Sequence, residues 1–352
     1  MTRDNCMQRI PAQSNKAKQA NELVTRLQAR FVQGLEKLAR ELNSVQSFEA
    51  VEWFRDEGKH GGGVRFATAD DDLFGRGSVN VSQVHYDENP DKKLGSATAI
   101  STIIHPCHPH APSVHIHISW TEMKNGEGYW RMMADLNPSI ENPAATQQFF
   151  DAMKQAAPAQ YDEGVAQGER YFYIPVLARH RGVSHFYLEQ YHTGDADKDR
   201  ALAQSVGEAA IDTYLDILAA ALQTNHAISE ADKATQLAYH SLYFLQVLTL
   251  DRGTTTGLMV HNQNDIGILG SLPAYVNRNL LMSWVENMPA PQDKLLSALI
   301  AALPAHSPAL VDDKVKAKLA AISRQHYSKH PEALAMQASG DVIPPTLKNH
   351  RD

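Results

Sequence analysis

"HPCHPHAPSVHIHISW", residues 105–120, carries His105, His108, His110, His115 and His117 around Cys107, one of two cysteines in the chain. Its second half decides the fold. From Val114 to Trp120 the residue types alternate, so an extended chain turns His115, His117 and Ser119 to one face and Val114, Ile116, Ile118 and Trp120 to the other. One face suits a core and the other is polar, as in an antiparallel sheet that keeps a face free for chemistry.

Outward from this strand, segments 64–68, 78–85, 98–105 and 113–121 are short, rich in β-branched residues and bounded by Gly, Pro or Asp, as in a meander. Upstream, between Lys16 and Asn43, Leu23, Val24, Leu27, Phe31, Leu35, Leu38 and Leu42 recur at helical spacing, which predicts an amphipathic helix. Residues 195–223, 227–237, 291–302 and 312–324 also read as helices. The run "SLYFLQVLTLDRGTTTGLMV", 241–260, reads as a long hairpin turning near Asp251 to Thr255. With no Gly/Ser-rich linker and no repeat, residues 1–339 are expected to form one α+β domain, and 340–352 a poorly ordered tail.

A chain of 352 residues can bury a core without disulfides or structural metal. Its 33 basic and 40 acidic residues give a net charge of −7, which argues against sequence-independent nucleic-acid binding. Cys6 and Cys107 are too few for a disulfide framework. The opening "MTRDNCMQRI" lacks the apolar core of a secretory signal, so a cytoplasmic location is expected. No apolar run approaches the ~20 residues that a membrane-spanning helix needs.

Two histidines at i and i+2 on a strand can share a metal ion, but no CxxC or HExxH accompanies them, so no metal is expected; His105 and His115 are the residual candidates. His105, His108 and His110, set among prolines, also read as loop histidines bonded locally. His115 reads either as a half-buried strand imidazole or as a group that exchanges a proton near neutral pH. Composition leaves both open.

Seven blocks in series narrow the choice. "GGGVRFA", "SVNVSQVHYD", "STIIHPCHPHAPSVHIHI", "ADLNP", "RGVSHFYLEQY", "LTLDRGTTTGL" and "ILGSLP" resemble, in the same order over about residues 50–285, those of oxygen-dependent coproporphyrinogen oxidases. The resemblance implies a homodimer of α+β subunits, each a large, flat antiparallel sheet covered by helices with a cleft on the sheet. It also implies conversion of two propionates of coproporphyrinogen III to vinyl groups, giving protoporphyrinogen IX in haem synthesis. Molecular oxygen is the implied co-substrate, with no required cofactor.

By the same resemblance Ser101 matches a substrate-contacting serine, His115 a general acid, Asp135 the acid of a "DLTP" block and Arg181 the arginine of an "ARGIGG" block. Asp135 would accept pyrrole N–H bonds and Arg181 would hold a propionate bidentately. The sequence departs from the family where "HANVR" becomes "HIHIS", leaving His117 and Ser119 for an asparagine and an arginine. A "GGR" block falls at His261, Asn262 and Gln263 or Asn264, again without arginine, and two further family histidines fall near Gln148 and Val176. The glycine run before "DLTP" becomes "WRMMA". If "YWRMMADL" is extended, Arg131, Met133 and Asp135 share a face, and Arg131 can replace a lost clamp. The alternatives are a non-catalytic paralogue that binds a porphyrin and a metal-dependent oxidase using His105, His115 and His117.

Overall fold

The computed structural model describes residues 7–45, 47–224 and 227–351; Cys6 lies outside them. The chain opens with α1 (Asn15–Glu41), then β1 (Glu49–Phe54), β2 (Gly61–Ala69), β3 (Arg76–His85), β4 (Leu94–His105), β5 (Ser113–Met123) and β6 (Gly128–Asn137). Helices α2 (Pro143–Ala156) and α3 (Tyr161–Phe172) follow, then a two-residue ribbon, β7 (Tyr173–Ile174) and β8 (Arg179–His180), and strand β9 (Ser184–Tyr191). The remainder is α4 (Ala196–Gln223), α5 (Glu230–Thr249), α6 (Arg252–Val260), α7 (Asp265–Ile268), β10 (Tyr275–Val276), α8 (Arg278–Trp284), α9 (Gln292–Ala302), β11 (Ala309–Leu310), α10 (Asp313–Lys329) and α11 (Thr346–Arg351).

Seven strands form one sheet in the order β1-β2-β3-β4-β5-β6-β9, and each neighbouring pair is antiparallel. The expected meander and the large antiparallel sheet of an α+β fold are both present. Alternation sets its two faces. Val114, Ile116 and Ile118 are fully buried with Val79, Ile100, Met132 and Leu136 in a core shared with α1, α2 and α4. Each such side chain contributes about 1.5–3 kcal/mol on burial, so a one-residue slip of β5 would forfeit the whole row and bury histidines in its place. Ser14 caps α1 by accepting the Ala17 amide at 2.9 Å, and the predicted stripe from Leu23 to Leu38 packs onto this apolar face.

The opposite face lies under a second core, built around α5, α9 and α10 with Leu245, Leu248, Leu295, Leu299 and Leu319. Here the sequence reading needs correction: 241–260 is not a hairpin. Helix α5 runs to Thr249, and Asp251 caps α6 by accepting the Thr254 amide at 2.6 Å. Residues 241–249 are all buried, and a helix covered on every side shows a continuous apolar run with no 3.6-residue period, which is also how a buried strand reads. Residues 340–351, read as a tail, carry α11 in the structure and border the cleft described next. No helix among the described residues is long and apolar enough to cross a membrane.

Candidate active site

Between the polar face of the sheet and the α5–α7 layer runs a cleft. Its floor follows from register. Asn80, Ser101, His117, Met133 and Tyr187 are successive cross-strand partners over five strands. A parallel row pairs Ala99 with Ser119 and Ser119 with Arg131, and another pairs Ile103 with His115 and His115 with Asp135. Asp251, Thr254 and Gly257 cover the floor, and His261, Asn264, Asn349 and His350 close one end.

Arg131 reaches into this cleft. Its guanidinium lies over the rings of Tyr171 and Tyr187, 5.5 and 5.1 Å from their centroids. It donates to the Tyr171 hydroxyl at 3.0 Å, and that hydroxyl donates to Asp251 Oδ2 at 2.8 Å. Arg131 Nε is 3.6 Å from Glu189 Oε1 and, among the described residues, has no hydrogen-bond partner of its own. Burial opposes the charge, yet Glu189, Tyr171 and Asp251 hold the guanidinium above its ordinary value. Burial pushes the Glu189 carboxyl up against the pull of Arg131 and Arg252. It opposes ionisation of Asp251 too, but Arg131 and the Thr254 amide keep that carboxyl below its usual range.

His115 and His117 both line the cleft, as alternation requires. Burial, then Arg131, depresses His117 to about 3. Burial, then Arg181, holds His115 well below its ordinary value. Arg181 Nη2 approaches His115 Nδ1 at 3.4 Å; a guanidinium only donates, so Nδ1 accepts and Nε2 carries the proton. His115 is thus suited to donate a hydrogen bond as a neutral imidazole; the resemblance made it a general acid.

Arg181 and Asp135 differ from the expectation more sharply. Neither has exposed surface and neither lines the cleft. Arg181 Nη2 donates to Asp135 Oδ2 at 2.5 Å, while the guanidinium lies between the Phe172 and Tyr243 rings. Asp135 also accepts from Asn137 at 2.8 Å, and its Oδ1 is 3.3 Å from His185 Nε2. The two residues form an ion pair behind His115, so in this arrangement Arg181 does not hold a propionate and Asp135 does not meet a pyrrole. Burial pushes the Asp135 carboxyl up, and Arg181 and His185 oppose it. His185 Nε2 is 2.8 Å from the Arg181 carbonyl and Nδ1 is 3.1 Å from Glu169 Oε1, which fixes the ring beside Asp135.

Of the remaining candidates, Ser101, Ser119 and His261 line the cleft, whereas Asn262 and Gln263 are exposed on a 3-10 turn and Gln263 bonds Asp56 at 3.3 Å; Asn264 is the turn residue that faces inward. His105 ends β4 and is not in a loop. Its Nδ1 pairs with the Ser113 hydroxyl at 2.9 Å and its Nε2 with the Ser271 carbonyl at 3.0 Å, which leaves no lone pair for a metal. Among the described residues no three His, Cys, Asp or Glu side chains converge as a ligand set. Sequence reasoning missed Asp251, Glu189 and Tyr171. Asp251 lay in plain view in "DRGTTTGL", and Glu189 is the one carboxylate in the strand "SHFYLEQY", next to the apolar run Phe186 to Leu188.

A polar cleft on a seven-stranded antiparallel sheet, roofed by helices, thus gathers residues from several of the motif blocks, Ser101, His115, His117 and Asp251 among them. The chain belongs to the coproporphyrinogen III oxidase family, whose profile matches residues 19–301. Among curated relatives it is 25% identical to the mitochondrial oxygen-dependent coproporphyrinogen-III oxidase of Homo sapiens, over 75% of this chain and 62% of that protein. The Rattus norvegicus counterpart is 25% identical over 70% and 60%. The oxygen-dependent coproporphyrinogen-III oxidase of Prochlorococcus marinus strain MIT 9313 is 28% identical over 80% and 88%. The chain therefore spans about three fifths of the length of the mammalian relatives.

Proposed function

We propose that this chain performs oxygen-dependent oxidative decarboxylation of a reduced tetrapyrrole in haem synthesis, coproporphyrinogen III or a related porphyrinogen. With coproporphyrinogen III the product is protoporphyrinogen IX. The observation that carries the reading is the meeting, in one cleft of a family member, of Ser101, His115, His117, Arg131 and Asp251 from strands and helices far apart in sequence.

The chemistry asks little of a resident cofactor. Each propionate becomes a vinyl group by losing carbon dioxide, two electrons and the accompanying protons; for two propionates, four electrons reduce one dioxygen to two waters. The electron-rich porphyrinogen is the reductant, and positive charge builds on its pyrroles as electrons leave. Asp251, ionised and roofing the cleft, would stabilise that charge. Arg131, directly across the β5–β6 pair from Ser119, would hold the propionate that the family's missing arginine would otherwise hold. His115 would donate from Nε2, oriented by Arg181, and Asp135 would position Arg181 from behind. Molecular oxygen is the co-substrate, and no metal is assigned.

A homodimer and a cytoplasmic location are proposed with this reading. A second reading, tetrapyrrole binding without turnover, is favoured by the cleft lining, in which Arg131 is the one arginine among the described residues. The test is coproporphyrinogen III prepared without oxygen, mixed with the protein and followed on admitting oxygen for carbon dioxide release and protoporphyrin fluorescence. Enzyme-dependent release of carbon dioxide is expected. Tight binding with none released leaves the second reading, and a 39.0 kDa monomer in sedimentation at micromolar concentration counts against the dimer.

A further inference from the structure

The end of the cleft away from Arg131 carries two histidines whose protons are placed by their neighbours. His261 follows α6, and His350 belongs to α11, outside the residues 19–301 that match the family profile. Their ring centroids are 5.4 Å apart, and both residues line the cleft. Arg55 contacts His261 Nδ1, and a guanidinium only donates, so the proton of this neutral ring sits on Nε2. The Tyr86 hydroxyl, which burial keeps protonated, is 3.2 Å from His350 Nδ1 and has no other acceptor among the described residues. It therefore donates to Nδ1, and His350 too carries its proton on Nε2. Neither Nε2 has a hydrogen-bond partner among the described residues, and neither is sealed from the cleft.

The surroundings of this pair are positive. Arg55 and Lys92 lie over the Tyr86 ring, 5.3 and 5.6 Å from its centroid, and Lys92 donates to the His350 carbonyl at 3.0 Å. The carboxylate beside Arg55 is that of Asp56, 3.5 Å from Nε; it is exposed and already bonded to His60 and Gln263. Burial, then His350 and Arg55, holds His261 well below its ordinary value, and burial, then Arg55 and Lys92, depresses His350 to about 4. Both rings are thus neutral near pH 7, and two unpartnered N–H donors stand side by side in front of two cations. That arrangement suits the two oxygens of a carboxylate. A metal ion would need the lone pairs that the Nε2 protons occupy and would meet Arg55 and Lys92 as well.

The pair also lies far from Arg131. The His261 ring packs on Trp53 of β1, 5.9 Å between centroids, whereas Arg131 rises from β6. Five strand spacings separate β1 from β6, a distance on the order of 20 Å across the sheet. A ligand that uses both ends carries acidic groups on opposite sides, as a tetrapyrrole with a propionate on every ring does.

We propose that His261 and His350 form a second carboxylate subsite, which binds the propionate on the far side of a tetrapyrrole whose near side is held at Arg131. Tyr86 and Arg55 are positioning residues that fix the two ring tautomers. The inference rests on the reading of the cleft as a tetrapyrrole site and adds to it a residue, His350, from beyond the matching part of the chain.

The experiment measures dissociation constants of the full chain at pH 7.5 by fluorescence titration with two stable porphyrins. Coproporphyrin III has a propionate on every pyrrole, whereas mesoporphyrin has two, on adjacent pyrroles, and can keep that edge at Arg131. His350→Leu keeps bulk and removes the donor, and should raise the coproporphyrin constant by about tenfold, the loss of one charged hydrogen bond, with mesoporphyrin changed by less than about twofold. Retained mesoporphyrin binding shows that the variant is folded. His350→Gln keeps an N–H donor and should recover most of the loss. A coproporphyrin constant unchanged in His350→Leu would overturn the proposal. An equal loss for both porphyrins would do so as well, since His350 would then act as packing in the wall, and so would a His350→Gln variant as weak as His350→Leu. If the wild type binds neither porphyrin, the tetrapyrrole reading itself fails, which separates that failure from the others.

Discussion

Replacing Arg131 by alanine tests the site and its energetics together. The side chain of Arg131 is 13% exposed and that of Glu189 2%, so their attraction is poorly screened by solvent. Removing one partner of a buried pair costs about 3–5 kcal/mol, because the other charge is left without compensation. Burial already pushes the Glu189 carboxyl up, so it can take a proton in the variant, and the loss should fall near the lower figure. Binding is a separate quantity. A ligand carboxylate on Arg131 makes a charged hydrogen bond worth about 1.5–3 kcal/mol, so the dissociation constant for coproporphyrin III, the stable oxidised form of the proposed substrate, should rise by roughly tenfold to a hundredfold. The double variant Arg131→Ala with Glu189→Gln separates the effects: urea unfolding should recover most of the stability, whereas fluorescence titration should show binding still weakened. If the double variant binds porphyrin as the wild type does, Arg131 is a structural cation and the clamp argument fails.

Other expectations follow from the same geometry. Because Ser119 and Arg131 are direct cross-strand partners, Ser119→Arg alone sets two guanidinium groups opposite each other and should lose up to about 1 kcal/mol of stability, while Ser119→Arg with Arg131→Gly should recover porphyrin binding; equal binding and stability in both variants would refute the exchange. His185→Gly, which installs the residue of the "ARGIGG" pattern, removes a buried ring that packs beside Asp135 and should cost about 3 kcal/mol through the cavity it leaves, and a change below about 0.5 kcal/mol in chemical unfolding would show that the ring does not support the site. The pH dependence has a definite sign. His117 near 3 and His240 near 4 lie below the ordinary 6.5, so between those values the unfolded chain binds protons that the folded chain refuses. Their contribution is full above pH 6.5 and is lost as pH falls, by up to about 1.4 kcal/mol per pH unit for each histidine, and His117→Asn should flatten the slope by one such share. Urea midpoints at pH 7, 5.5 and 4.5 measure it; identical slopes in wild type and variant would contradict the assignment.

The sequence alone determined the two-faced strand and the family. Alternation from Val114 to Trp120 assigns each side chain a face before any partner strand is known, because successive residues of an extended chain point oppositely. It therefore put His115, His117 and Ser119 together, and the same rule put Arg131 on the face of Asp135. The leucine stripe of α1 was equally legible, since only one side of that helix is buried. Tertiary structure decided the rest. Period is lost where burial is complete, so α5 could not be told from a strand until its neighbours were in place. Which side chain meets which depends on register and on chain returning from a distance. Only the β5–β6 pairing sets Arg131 opposite Ser119, and only the return of β9 brings Glu189 to Arg131 and closes Arg181 over Asp135. A motif can therefore name a charged residue without saying whether it faces a ligand or a counter-ion, because burial and pairing are properties of contacts between segments and no local stretch contains them.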